Sequence, residues 1–234
     1  MELKGVKQRR FSLKMTTFVV VMKIFGIGMN YLLHTQELQG GVAPSPLASS
    51  AEDRRPKEPV VFLKPDSALL KNGKPFFVPD WAERFDYEAE LVVRICRLGK
   101  GIPLRFAHRY WDALTVGIDF TARDVQQEAR RQGLPWTVCK GFDGSAALGE
   151  WVEMTHPADV DFRLDLNQQT VQRGSSTDML FSIDELISYL SRFFTLRTGD
   201  LLFTGTPVGV GPVKPGDHLE GYLAEQKVLD FFCR

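Results

Sequence analysis

Short apolar runs separated by polar turns dominate the chain, and their internal spacing sets most of the elements. Residues 23–28, 60–64, 86–93, 114–121, 160–166, 201–203, 219–223 and 227–232 are apolar in brief unbroken runs or at alternate positions, which predicts strands. Helical spacing longer than a single turn is confined to three stretches. Residues 105–113 suit a helix packed on the preceding strand. Residues 123–132 read as a largely solvent-facing helix ended by Gly133. Ser182-x-x-Glu185 is a capping box that opens a helix burying Ile183, Leu186, Ile187, Leu190 and Phe194. Turns are expected at 71–74, at Asn167-Gln168 and at 214–217. Residues 40–59, rich in Pro, Ser, Ala and charge without apolar periodicity, predict a mobile loop.

Two of the predicted strands carry the carboxylates of a candidate site. Alternation places Glu88 and Glu90 on one face, with Tyr87, Ala89, Leu91 and Val93 on the other. Asp119 lies opposite Val116, Ile118 and Phe120 in its own strand. Three carboxylates converging from strands suit a hard divalent cation such as Mg²⁺ or Mn²⁺. The spacing alone suits equally well two solvated glutamates on an edge strand and an unrelated aspartate. His34 and Glu37, three apart, share one face of a helical turn, the arrangement of a base with its orienting carboxylate or of a surface ion pair. Arg123, four residues after Asp119, has the fork to bind a substrate carboxylate. Thr204-Gly205-Thr206-Pro207 follows a buried-strand run. Its N–H groups and the Thr206 hydroxyl can hold an oxyanion, or it is a plain glycine turn.

Composition narrows the function classes. Lysine plus arginine and aspartate plus glutamate both number 29, so no basic field calls for nucleic acid. Cys96, Cys139 and Cys233 are an odd set without C-x-x-C, which indicates neither a disulfide framework nor a zinc site and makes the cytoplasm the default. The basic start followed by Phe18–Val21 is cut by Lys23 and is too short to span a bilayer, so neither a signal peptide nor a membrane partner is expected. His156 and His218 have no partner pattern in the sequence.

Four blocks in fixed order carry a resemblance. They are Tyr87-Glu88-x-Glu90-Leu91, Asp119-x-Thr121-Ala122-Arg123-Asp124-x-Gln126, Lys140-x-Phe142-Asp143 and Thr204-Gly205-Thr206-Pro207-x-Gly209-Val210-Gly211. From about Met22 to the C-terminus the chain resembles the fumarylacetoacetate hydrolase family, and Asn30-Tyr31-x-x-His34-x-x-Glu37 is similar to the dyad of its acylpyruvate hydrolase branch. The resemblance implies an α+β, mostly β fold, a mixed β roll with few helices, usually a homodimer. Residues 22–234 would form one catalytic domain behind a disordered extension, 1–21. Glu88, Glu90 and Asp119 would ligate Mg²⁺ or Mn²⁺, with His34, Glu37 and Lys140 catalytic. Arg123, Gln126, Thr204, Gly205 and Thr206 would contact the substrate, and Lys64 and Ser67 belong to a further block, F-x-K-P-x-S, that can face the site. The implied reaction is C–C cleavage of a small 2-oxo acid such as an acylpyruvate, releasing pyruvate. Oxaloacetate decarboxylation and isomerisation or hydration of a dienoate are the rivals on the same site. A non-catalytic metal-containing binding protein is the rival of another class, disfavoured because a structural metal has no use for the dyad.

Overall fold

The computed structural model describes residues 22–31, 56–71, 73–154 and 159–234. His34, Glu37, His156, the extension 1–21 and residues 40–55 of the expected loop lie outside them. In chain order the strands among the described residues begin with β1 (Ile24–Gly28), β2 (Val60–Lys64), β3 (Leu69–Lys71), β4 (Phe85–Tyr87), β5 (Ala89–Ile95), β6 (Trp111–Asp119) and β7 (Thr121–Ala122). They continue with β8 (Ala146–Leu148), β9 (Val152–Glu153), β10 (Asp161–Leu166), β11 (Gln169–Ser175), β12 (Leu201–Phe203), β13 (Gly211–Pro212), β14 (His218–Leu223) and β15 (Gln226–Phe232). The helices are α1 (Leu104–Ala107), α2 (Arg123–Gln132), α3 (Thr137–Lys140) and α4 (Ile183–Phe193).

The large sheet runs β2-β1-β12-β5-β6-β8-β3, with β9 also on β6. A four-stranded sheet runs β11-β10-β14-β15 and a small one β13-β4-β7. The β1–β12 and β3–β8 pairs are parallel and the others antiparallel, which makes the roll mixed. β5 and β6 at its centre are buried almost throughout, which explains their near-continuous apolar sequence. The four-stranded sheet covers one face so closely that a Cβ on Gly221 would sit 3.0 Å from Val116 Cγ1. Leu186, Ile187 and Leu190 of α4 join the same core. Ser182 and Glu185 close the capping box as expected.

Three local expectations change. Residues 105–113 do not form one helix: α1 is four residues, a 3₁₀ turn follows at His108–Tyr110, and Trp111 and Ala113 pair with Ile95 and Arg94 of β5. The open edge of β5 outweighs a helical spacing that was itself weak. The strand expected over 114–121 breaks at Phe120, which stacks on Phe76 at 3.8 Å and donates its N–H to Ser145 O, before β7 resumes against β4. That jog turns the chain into α2. His218, given no partner by the sequence, lies with Nε2 2.8 Å from Asp230 Oδ1 and stacks on Phe232.

Candidate metal centre

The β5–β6 register builds the site. Glu90 is paired with Gly117 and Ala89 with Ile118, so the next step brings Asp119 opposite Glu88, whose carbonyl accepts the Asp119 N–H at 2.8 Å. Oxygens of Glu88, Glu90 and Asp119 all lie within 4.8 Å of one another, and all three residues are buried. The expected metal triad is therefore brought together on rigid strands.

Each carboxylate is held from behind. Arg123 donates from Nε to Asp86 Oδ2 (2.7 Å), from Nη2 to Glu88 Oε1 (2.6 Å) and from Nη1 to Gln126 Oε1 (2.7 Å). Its fork is thus directed into protein oxygens and not into the cleft. Lys140, delivered by α3, donates to Glu88 Oε2 (2.7 Å), Asp119 Oδ2 (2.6 Å) and Thr121 Oγ1 (2.6 Å), which uses all three ammonium protons. Lys64, at the end of β2, donates to the carbonyls of Lys140 and Ser145 and to Ser145 Oγ. Ser67 is exposed and takes no part.

Lys64 Nζ also forms a buried ion pair with Asp119 Oδ1 at 2.7 Å, so this carboxylate too is supported by an ammonium. Three buried carboxylates with oxygens this close form the kind of oxygen ligand set that a hard cation takes. The protonation balance points the same way. Burial first, and then the charge of Asp119, pushes the Glu90 carboxyl well above its usual range, against the pull of Lys140. Burial opposes the charge on Lys140, yet Asp119 and Glu88 outweigh it and its pKa is raised. Burial lowers the pKa of Lys64 in spite of Asp119. The donor set fits a hard divalent ion.

The glycine turn closes the other side. Gly205 donates its N–H to Glu90 Oε2 at 2.8 Å, at a φ of +101°, where a Cβ would stand 2.7 Å from Asn30 Cβ. Thr204 Oγ1 donates to Leu91 O (2.9 Å), and Thr206 Oγ1 donates to Ala89 O (2.8 Å) while accepting from Gln172 Nε2 (2.9 Å). These hydroxyls fasten the turn to β5. Thr206, Gln126, Phe62, Trp136 and Arg130 line the cleft over the triad. Buried Asn30 ties the end of β1 to this turn, donating to the carbonyls of Thr204 and Phe181. Lys64, Asp86, Asn30 and Arg130 were not singled out as site residues by spacing. Only the F-x-K-P-x-S block hinted at Lys64.

A second group, His218, Glu220 and Asp230, also gathers metal-binding atoms. There the Lys227 ammonium sits 3.1 Å from Glu220 and 2.6 Å from Asp230, so the cluster carries its own cation.

A mixed β roll with three buried carboxylates gathered on its central strands defines a mostly β protein with an acidic cluster at the floor of a cleft. The chain belongs to the fumarylacetoacetate hydrolase family, since residues 23–229 match the family described as Fumarylacetoacetate (FAA) hydrolase C-terminal. It is 36% identical over 197 residues to the mitochondrial oxaloacetate tautomerase FAHD1 of Mus musculus, covering 83% of each chain. A fumarylpyruvate hydrolase from Pseudomonas aeruginosa, solved with Mn²⁺ and pyruvate, is 33% identical with a TM-score of 0.80, covering 91% of this chain and 89% of that one. The 5-carboxymethyl-2-hydroxymuconate delta-isomerase of Mycobacterium smegmatis is 33% identical with a TM-score of 0.75, over 92% and 79%. The relatives thus include a hydrolase, a tautomerase and an isomerase. No helix among the described residues is long and apolar enough to cross a membrane.

Proposed function

We propose that this chain is a divalent-metal-dependent enzyme of small 2-oxo acids that cleaves the C–C bond of an acylpyruvate and releases pyruvate. The observation that carries the reading is the buried triad itself, whose three carboxylates bring oxygens within 4.8 Å of one another at the floor of the cleft. Glu88, Glu90 and Asp119 would hold Mg²⁺ or Mn²⁺, which would supply Lewis-acid stabilisation of negative charge on the 2-oxo oxygen.

The chain's own residues do the rest. Arg123, Lys140, Lys64 and the Gly205 N–H fix the three carboxylates, so the ligands do not reorganise during reaction. Gln126 and Thr206 face the substrate from the cleft wall, while Thr204 and Gly205 hold the turn that carries Thr206 against β5. His34, oriented by Glu37, takes a proton from the water that attacks the distal carbonyl. The bonding pair stays on the pyruvate fragment, which takes up a proton as it leaves. The working unit in this reading is a homodimer, which light scattering tests.

A second reading, keto–enol interconversion or decarboxylation of oxaloacetate, is favoured by the mouse tautomerase relative and needs no water nucleophile. Metal-stripped protein, assayed for pyruvate release over a panel of acylpyruvates and for loss of enol-oxaloacetate, separates the two. Turnover of an acylpyruvate that appears only with Mg²⁺ or Mn²⁺ supports hydrolysis. Metal-independent turnover contradicts both readings.

A further inference from the structure

Helix α2 presents Arg123, Gln126 and Arg130 at spacings of three and four, which is one helix face. The first two are buried and bonded to each other. Arg130, one turn on, lines the same cleft as Glu88, Glu90, Asp119 and Lys140, yet its side chain is exposed. It has neither an ion pair nor a hydrogen bond among the described residues. Its neighbour Arg131, on the outer side, is already forked onto Glu128. Around the triad the other cations, Lys64, Arg123 and Lys140, spend their protons on protein oxygens.

We propose that Arg130 binds a second, distal carboxylate of the substrate, so that the preferred class is dicarboxylic 2-oxo acids. This rests on the proposed 2-oxo acid reading. One end of such a substrate is held at the triad. The far end then meets a guanidinium whose fork matches a carboxylate. An exposed cation at the mouth of a cleft with an acidic floor also draws a dianion in the right orientation. The competing occupant is an apolar acyl chain. It would leave the cleft past Phe62 and Trp136 into the groove lined by Val60, Leu134, Tyr189 and Phe193, where Arg130 has no role.

Arg130→Met and Arg130→Lys, compared on fumarylpyruvate and acetylpyruvate with Mn²⁺, test this. A charged hydrogen bond contributes enough that Arg130→Met should raise KM for fumarylpyruvate about 10- to 100-fold, with kcat within a few-fold and acetylpyruvate unaffected. Arg130→Lys should restore part of the loss. Equal effects on both substrates, no effect, or a parent preference for long apolar acylpyruvates overturns the inference. Calorimetry with oxalate, which lacks a distal group, keeps the two levels apart. Oxalate should bind parent and variant equally in the presence of Mn²⁺, and failure to bind the parent overturns the underlying reading as well.

Discussion

The Glu90 carboxylate is buried beside Asp119 and hydrogen-bonded by the Gly205 N–H, and burial pushes its pKa well up. A divalent ion relieves that imbalance, so Glu90→Gln should lower Mn²⁺ affinity by more than about 100-fold, beyond the cost typical of outer-shell changes. Unchanged affinity by calorimetry would mean that Glu90 is not a ligand. The sign of the pH effect follows. A carboxyl whose pKa is raised holds its proton to higher pH, and the ion must displace that proton. Mn²⁺ affinity should therefore rise with pH, with proton release seen as a dependence of binding heat on buffer ionisation. At the same scale, His34→Ala should slow acylpyruvate hydrolysis by about 10²–10⁴-fold while metal-dependent oxaloacetate decarboxylation persists. The reverse pattern would remove His34 from the water-activating role. The shared face of Glu88 and Glu90 was legible from their period of two, and the ordered family blocks joined Asp119 to them. Asp86 was not legible: its partner Arg123 lies 37 positions away, and only the folded sheet shows the bond.

At the level of elements, the turn after β12 couples backbone geometry to the site. Gly205→Ala meets both a left-handed φ and the Asn30 Cβ, which should cost about 1–3 kcal/mol of stability and move the N–H off Glu90. Chemical denaturation together with Mn²⁺ titration reads both effects. A variant that is destabilised but binds Mn²⁺ normally would separate the turn from the metal. Most elements were readable, since strands, capping box and the Gly133 stop carry local signals. The Asn167-Gln168 turn keeps both residues at positive φ without a glycine, which the flanking alternation predicted better than turn chemistry did. The helix expected over 105–113 failed because pairing with β5 is a tertiary fact. The orientation of Arg123 was hidden for the same reason: its place four residues after Asp119 does not say which way the fork turns, and the carboxylates that take it arrive from β4 and its junction with β5.

For the whole molecule, the centre is built on β5 and β6, whose other face joins a continuous core shared with the four-stranded sheet, so the metal-free protein should remain folded. Ion binding then adds stability by mass action. At a free Mn²⁺ concentration 100-fold above Kd the gain is about 2.7 kcal/mol, which for a chain of this size raises Tm by roughly 5–11 °C. Scanning calorimetry with Mn²⁺ and with EDTA measures it, and Glu90→Gln should abolish most of the shift. The most direct test of the account is an anomalous-scattering crystal structure of the protein with Mn²⁺ and oxalate. The account predicts a Mn²⁺ peak among Glu88, Glu90 and Asp119, with oxalate on its open side beneath Arg130. Saturating Mn²⁺ that leaves this triad empty, or that appears only at His218, Glu220 and Asp230, would contradict it.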